Sequence, residues 1–316
     1  MKGSDFIKFS VVIPVYNEQD SLKILYNSLV NVFSENFPNE EYEILFIDDG
    51  SQDDSVKIIK KIGNINKKIH LIVFRKNFGK SAALQAGFRS AIGDIIFTMD
   101  ADLQDDPKEI PNFVNKINEG YDCVCGWKYN RLDPLEKRWP SKLFNKFTSA
   151  MSGIKLHDFN CGFKAYRKEV IESLDIYGEM HRFVPILVAR NGFKIVEIQV
   201  NHKKREFGKS KYGIERYLRG MFDSISVLFL LKYREKPMHF FGRIGLISFL
   251  LGFAICVYLV IEWFNGISIG TRPLLNLGIL LIILGTLFVC IGLIGNLVVD
   301  KSYRQNYSEY HIKEKF

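Results

Sequence analysis

The sequence predicts an α/β domain built on a mostly parallel sheet, followed by interfacial helices and two membrane-spanning helices. Three observations predict it. Short β-rich runs alternate with helical patterns through residues 1–200. The most conspicuous polar motifs fall directly after β-rich runs. Two long runs near the C-terminus carry no charge.

The elements follow in order. FSVVIPVY (Phe9–Tyr16) is branched and aromatic, reads as the first strand, and ends in Asn17–Glu18. DSLKILYNSLVNVFSE repeats apolar residues at three- and four-residue spacing, as an amphipathic helix does. YEILFID is a second strand running into DDGS, Asp48–Ser51. Asp53 is placed to cap the helix DDSVKIIKKI. IHLIVF and KSAALQAGFRSA form the next strand and helix. DIIFTMD then leads straight into Asp100 and Asp102. Asp106 caps, and Pro107 opens, the helical pattern DPKEIPNFVNKINEG. YDCVCGW and FKIVEIQV complete the strands. Between those two, DFNCGFKAYRKEV reads as a small turn that places Asp158, Asn160 and Arg167 around a pocket.

The uncharged runs are Ile244–Ile261 and Leu274–Val299. Each is long enough to cross a bilayer as a helix, at roughly 20 residues per crossing. The alternative, two buried helices of a soluble core, is disfavoured because two such runs with a short polar connector are rare in soluble folds. Lys232, Arg234, Lys236 and Arg243 precede the first run, and Lys301 and Arg304 follow the second. The connector offers only Arg272. The positive-inside rule therefore puts both chain ends in the cytoplasm. Trp263 and Tyr303 stand where belt aromatics are expected. MKGSDFIKFSVVIPVYNEQD turns polar too soon for a signal peptide. Leu135–Gly153 and Tyr212–Lys236 interleave Lys and Arg with apolar residues, which suits helices lying among anionic headgroups. The net charge of +8 is concentrated beside the spans, which favours lipid over nucleic acid. The five cysteines fit a reducing compartment, and no second pair stands at zinc spacing.

In a parallel sheet ligands bind beyond the carboxyl ends of the strands. Asn17–Glu18, Asp48–Ser51 and Asp100–Asp102 should therefore gather along one edge. Asp100 and Asp102, with Gln104 adding a neutral oxygen, suit a hard divalent cation, Mg²⁺ or Mn²⁺, that shares its shell with a diphosphate. Neither a dinucleotide-binding nor a P-loop glycine pattern is present. A nucleotide would instead be held by base and ribose, with Asp48 or Asp49 accepting hydrogen bonds and Tyr16 packing on the base. KKREFGKSKYG (Lys203–Gly213) offers Arg205, Ser210 and Lys211 to phosphate. DDGS as a plain turn and the basic loop as a solvated surface are the competing readings.

VVIPVYNE, IDDGSQD, NFGKSAALQAG, MDADLQDDP, DFNCGFKAYRKEV and REFGKSKYG together resemble a family 2 glycosyltransferase of the GT-A (Rossmann-like) fold. In outline the chain is similar to polyprenyl-phosphate sugar transferases of the dolichyl-phosphate and bactoprenol type with two C-terminal spans. The processive members carry Q-x-x-R-W; here Arg138–Trp139 has Leu135 where Gln would stand, which argues against polymer synthesis.

The resemblance implies roles for matching residues. Pro14, Tyr16, Glu18 and Asp49 would bind nucleotide. Asp100, Asp102 and Gln104 would hold metal and donor. Arg205, Ser210 and Lys211 would meet phosphates, with Arg205 counted with the two aspartates as catalytic. Arg131 is a further basic candidate near the acceptor entrance.

The implied reaction moves a sugar, with glucose from UDP-glucose as first choice, onto polyprenyl (undecaprenyl) phosphate at the cytoplasmic face of a bacterial-type membrane. Mannosyl or N-acetylglucosaminyl transfer is the alternative. A non-catalytic sugar-nucleotide scaffold ranks lower, since it would not need both acidic cluster and basic loop, and so does a transporter subunit, since two spans with no intramembrane charge give no evident permeation path. A homo-oligomer, with a tetramer as one candidate, is implied. The expected organisation is a catalytic domain over 1–210, an interfacial region over 211–238, and a membrane region over 239–316 with spans at about 240–262 and 274–299.

Overall fold

The computed structural model describes residues 7–129, 153–201 and 236–305 except Thr271, with isolated positions 145, 148, 149, 229 and 233. Arg131, Arg205, Ser210 and Lys211 lie outside the described residues, as do Arg138–Trp139 and most of both basic amphipathic stretches. The chain divides into two compact units, Met1–Val227 and Leu228–Phe316.

The first unit is a seven-stranded sheet in the order β3-β2-β1-β4-β6-β5-β7. Its strands are β1 (Ile7–Val15), β2 (Glu41–Asp48), β3 (Ile69–Val73), β4 (Ile95–Thr98), β5 (Cys123–Lys128), β6 (Lys164–Arg167) and β7 (Ile195–Val200). Helices α1 (Leu22–Asn36), α2 (Ser55–Ile65), α3 (Lys80–Ser90) and α4 (Ile110–Asn118) connect the first five strands; short helices α5 (Lys168–Glu172) and α6 (Val184–Arg190) lie between β6 and β7. Val11 and Val12 of β1, Phe46 and Ile47 of β2, and Ile96 and Phe97 of β4 are fully buried, so the central strands are apolar on both faces as parallel strands under helices must be. One core cluster joins Phe9, Phe33, Phe97, Phe113 and Phe163, with Phe33 stacked on Tyr42 and Phe113 on Phe163.

The register decides where the polar motifs go. Val15 pairs with Asp48, and Asp48 with Val73. Val12 pairs with Thr98, and the Met99 amide donates to the Val12 carbonyl at 3.2 Å. The carboxyl ends of β1, β2 and β4 therefore open on one edge.

The sheet departs from the expected pattern at β6. Residues 164–167, read as part of a turn, form a strand antiparallel to β4 and β5. Lys164 pairs with Thr98 at the motif edge, while Arg167 pairs with Ile95 at the opposite end. Asp158, Asn160 and Arg167 thus do not surround one pocket. Arg167 instead donates to the Tyr121 and Ile117 carbonyls, at 3.3 and 2.6 Å.

The second unit contains α7 (Pro237–Phe264) and α8 (Pro273–Gln305). Both are long and apolar enough to cross a membrane. Only 17% of each apolar window is buried, unlike a soluble core helix, whose apolar surface is covered. The pair packs through glycines. A Cβ on Gly245 would sit 2.7 Å from the Gly285 carbonyl oxygen, and one on Gly252 2.6 Å from that of Gly278. Small residues let the two backbones touch, the usual route to tight helix packing where water supplies no drive.

Candidate active site

Each motif at the strand ends is built by local hydrogen bonds. The loop after β1 turns at Asn17, which has a φ of 53°. Its Oδ1 accepts from the Gln52 amide at 2.7 Å, and the Asn17 amide donates to Ser51 Oγ at 2.9 Å. The Glu18 amide donates to Ser55 Oγ at 3.0 Å, so the NE and DDGS loops are stitched into one surface. Pro14, Tyr16 and Glu18 are half-buried along it. Asp53 sits one residue before the N-cap position of α2 yet accepts the Ser55 amide at 3.0 Å. Asp106 accepts the Lys108 amide at 3.2 Å, and Pro107 opens a single 3₁₀ turn before α4.

Asp48 and Asp49 are both buried. Asp48 Oδ1 accepts from the amides of Gly50 and Ser51, at 3.1 and 2.9 Å. Asp48 Oδ2 is buried without a hydrogen-bond partner among the described residues. Asp49 accepts from Phe78 and Gly79, at 2.7 and 2.9 Å, and so caps the loop leading into α3. Burial raises the Asp49 carboxyl above the usual carboxylate range, and these two amides pull it part of the way back. Gly50 has φ +76°, and a Cβ there would lie 2.6 Å from the Lys76 carbonyl carbon. Both the turn and this close approach require glycine.

Asp100 follows β4 and meets Lys80, the first residue of α3, in an ion pair. Asp102 Oδ1 accepts the Gln104 amide at 3.3 Å, while Leu103 between them takes a φ of 62°. Behind Asp100 lies a charged floor. Lys128 pairs with the buried Asp105 at 3.1 Å, and the buried Lys164 donates to the Cys161 carbonyl. Burial pushes the Asp100 carboxyl up, but Lys80, Lys128 and Lys164 outweigh it and hold it down at about 2. Gly162 lets this carboxylate approach: an added Cβ would stand 2.6 Å from Asp100 Oδ2. Asp158 is buried, its Oδ1 accepting the Asn160 amide at 3.1 Å. His181 lies beside this cluster, bonded to Ser81 at 3.0 Å. Burial first, then Lys80, Arg182 and Lys164, push its imidazole well below the ordinary value.

The family profile for glycosyl transferase family 2 matches residues 10–175. The chain belongs to that family. This glycosyltransferase is 36% identical over 312 residues to a dodecaprenyl-phosphate galacturonate synthase of Rhizobium johnstonii, covering 97% of this chain and 92% of the relative. It is 33% identical over 294 residues to an undecaprenyl-phosphate 4-deoxy-4-formamido-L-arabinose transferase of Proteus mirabilis, covering 92% and 88%. Among solved structures, its fold matches glucosyl-3-phosphoglycerate synthase from Mycobacterium tuberculosis, determined with Mn²⁺, UDP and phosphoglyceric acid. That match has a TM-score of 0.53 at 19% identity over 71% of this chain and 78% of the other. The sheet is thus the GT-A type.

The lysines around Asp100 escaped the sequence reading, as did His181. Lys164 and His181 stand far from Asp100 in the chain, and only the β4–β6 pairing and the packing of α3 bring them close. Among the described residues no three His, Cys, Asp or Glu gather closely enough to cage an ion. A hard cation held by Asp100 and Asp102 would have to take its remaining oxygens from a ligand and water. The ammonium of Lys80 already occupies one carboxylate oxygen there.

Proposed function

We propose that this enzyme transfers a sugar from a nucleotide diphosphate sugar to a polyprenyl phosphate. The observation that carries it is the near full-length likeness to two transferases whose names share a polyprenyl phosphate and differ in the sugar. That pattern supports the acceptor class more strongly than any one sugar. Glucose from UDP-glucose is the first donor to test, with mannosyl and N-acetylglucosaminyl donors beside it. The sugars named for the relatives, galacturonate and 4-deoxy-4-formamido-L-arabinose, complete the panel.

In this reading Pro14, Tyr16 and Glu18 line the nucleotide side. Asp48 Oδ2 accepts from base or ribose, which satisfies its buried lone pair. Asp49 holds the adjoining loop in shape. Asp100, Asp102 and Gln104 face the diphosphate, and would hold Mg²⁺ or Mn²⁺; the bound cation offsets charge on the departing diphosphate. Arg205, Ser210, Lys211 and Arg131 supply phosphate contacts, and Asp158 lines the acceptor side. An acceptor phosphate oxygen attacks the anomeric carbon, the bond to the diphosphate oxygen breaks, and the nucleoside diphosphate leaves. One displacement inverts the anomeric centre. The attacking oxygen is anionic near neutral pH, so the step needs no strong base. The donor is soluble and the acceptor is embedded, so carrying the spans and the site on one chain supplies proximity.

The test is a radiolabelled donor panel with undecaprenyl phosphate and Mg²⁺ or Mn²⁺, run on the full-length protein. Sugar-lipid should form, and Asp102→Ala should cut turnover at least about 10²-fold. Full turnover by Asp102→Ala would remove the acidic pair from the mechanism.

A further inference from the structure

Three ammonium groups surround Asp100, and they are not equivalent. Lys128 is paired to the buried Asp105 and its side chain is 11% exposed. Lys164 is buried and bound to the Cys161 carbonyl. Both are fixed in the floor by protein acceptors other than Asp100. Lys80 is different. Asp100 is its hydrogen-bond partner, and its side chain is 32% exposed, as that of Asp100 is 31% exposed. It is a flexible stem ending in a compact charge. It is also rooted at the start of α3, beside Gly79, where an added Cβ would meet nothing within 4 Å.

We propose that Lys80 guards the acidic pair. Without nucleotide it neutralises Asp100 and excludes a divalent cation; a nucleotide diphosphate draws it away, so cation and nucleotide load together. The proposal rests on the reading that Asp100 and Asp102 serve a metal–diphosphate. The chemistry follows from charge. A cation and an ammonium on one carboxylate repel each other. The diphosphate offers the ammonium a second anion, and it offers the cation extra oxygens. A weak two-carboxylate site therefore stays closed to free cation in the cytosol. Lys80 acts through Asp100, so it is a positioning residue.

The experiment measures binding rather than turnover. Free Mn²⁺ is followed by electron paramagnetic resonance in titrations of the full-length detergent-solubilised protein, with and without UDP. Wild type, Lys80→Met, Lys80→Arg and Asp102→Ala are compared, after melting curves confirm that each is folded. Without UDP, Lys80→Met should bind Mn²⁺ about ten-fold more tightly than wild type, and the tightening caused by UDP should shrink correspondingly. Lys80→Arg keeps the charge and should behave like wild type. Equal Mn²⁺ affinity of wild type and Lys80→Met without UDP overturns the guard. If in that case Asp102→Ala still abolishes Mn²⁺ binding with UDP, the metal–diphosphate reading survives alone. If Asp102→Ala binds Mn²⁺ and UDP as wild type does, both are overturned.

Discussion

Asp100 holds a charge that its surroundings could have suppressed. Its depressed pKa, about 2, comes from three ammonium groups outweighing burial. A carboxylate whose folded pKa lies below its unfolded value stabilises the fold above the unfolded value and loses that contribution as pH falls through the folded one. For Asp100 the loss falls between about pH 4 and pH 2. His181 titrates with the same sign in a more useful window. Its folded pKa is pushed down, so below about pH 6.5 the unfolded chain takes a proton that the folded chain refuses. Stability should therefore fall as pH drops from 7 to 5, and His181→Gln should flatten that slope in melting curves. An unchanged slope would place the titration on another group. Gly162 tests geometry rather than charge. A Cβ there meets Asp100 Oδ2 at 2.6 Å, so Gly162→Ala should displace the carboxylate and lower kcat/KM by about 10²-fold. Its melting temperature should also fall, because an Asp100 displaced toward solvent loses part of its pairing with the lysines. A Gly162→Ala enzyme with normal kcat/KM would show that the position of this carboxylate is not critical.

At the scale of elements, periodicity carried far where strands are long and apolar. β1 and β2 were legible because Val11–Ile13 and Ile44–Ile47 are runs that only a doubly covered strand tolerates. Their polar ends were legible for the same reason, since a motif after a parallel strand has one edge to go to. β6 was hidden. It has four residues, Lys164–Arg167, with a charge at each end, and only its partners β4 and β5 make it a strand. The lysine floor was hidden with it, because Lys164 reaches the site through that pairing. The membrane helices were legible from composition, but their contact was not. Gly245, Gly252, Gly278 and Gly285 read as ordinary span residues until the two helices meet. A leucine at Gly285 would drive a side chain into the Phe249 amide, 2.6 Å from the Cβ position. Gly285→Leu should cost about 1–3 kcal/mol or more and lower the melting temperature in detergent. Gly270→Leu, where an added Cβ meets nothing within 4 Å, should leave it unchanged. Equal melting of the two variants would show that the glycine contact contributes nothing to the hairpin.

For the molecule as a whole, the proposed reaction requires one chain to bring a soluble donor to an embedded acceptor. Whether it can depends on which side of the bilayer each end occupies. Two spans return the chain to the side it started from, so the catalytic unit and the C-terminal tail share a compartment. Charge selects which one. Cations flank the outer ends of α7 and α8, at Lys236, Arg243 and Lys301, whereas the connector pairs its Arg272 with Glu262 at 3.4 Å. If the basic flanks stay in the cytoplasm, as the positive-inside rule expects, the proposed site meets its nucleotide-sugar donor there. The connector should then face outward. A cysteine introduced as Ser268→Cys, in the connector, should react with an impermeant maleimide in intact cells, and Ser308→Cys, in the tail, only after lysis. Cys123, Cys125 and Cys161 are buried, whereas Cys256 and Cys290, within α7 and α8, are not, so labelling is read against the protein without an introduced cysteine. The reverse pattern would place the acidic site outside the cell, away from its donor. Nucleotide-sugar transfer would then have to be abandoned even if every contact around Asp100 were correct.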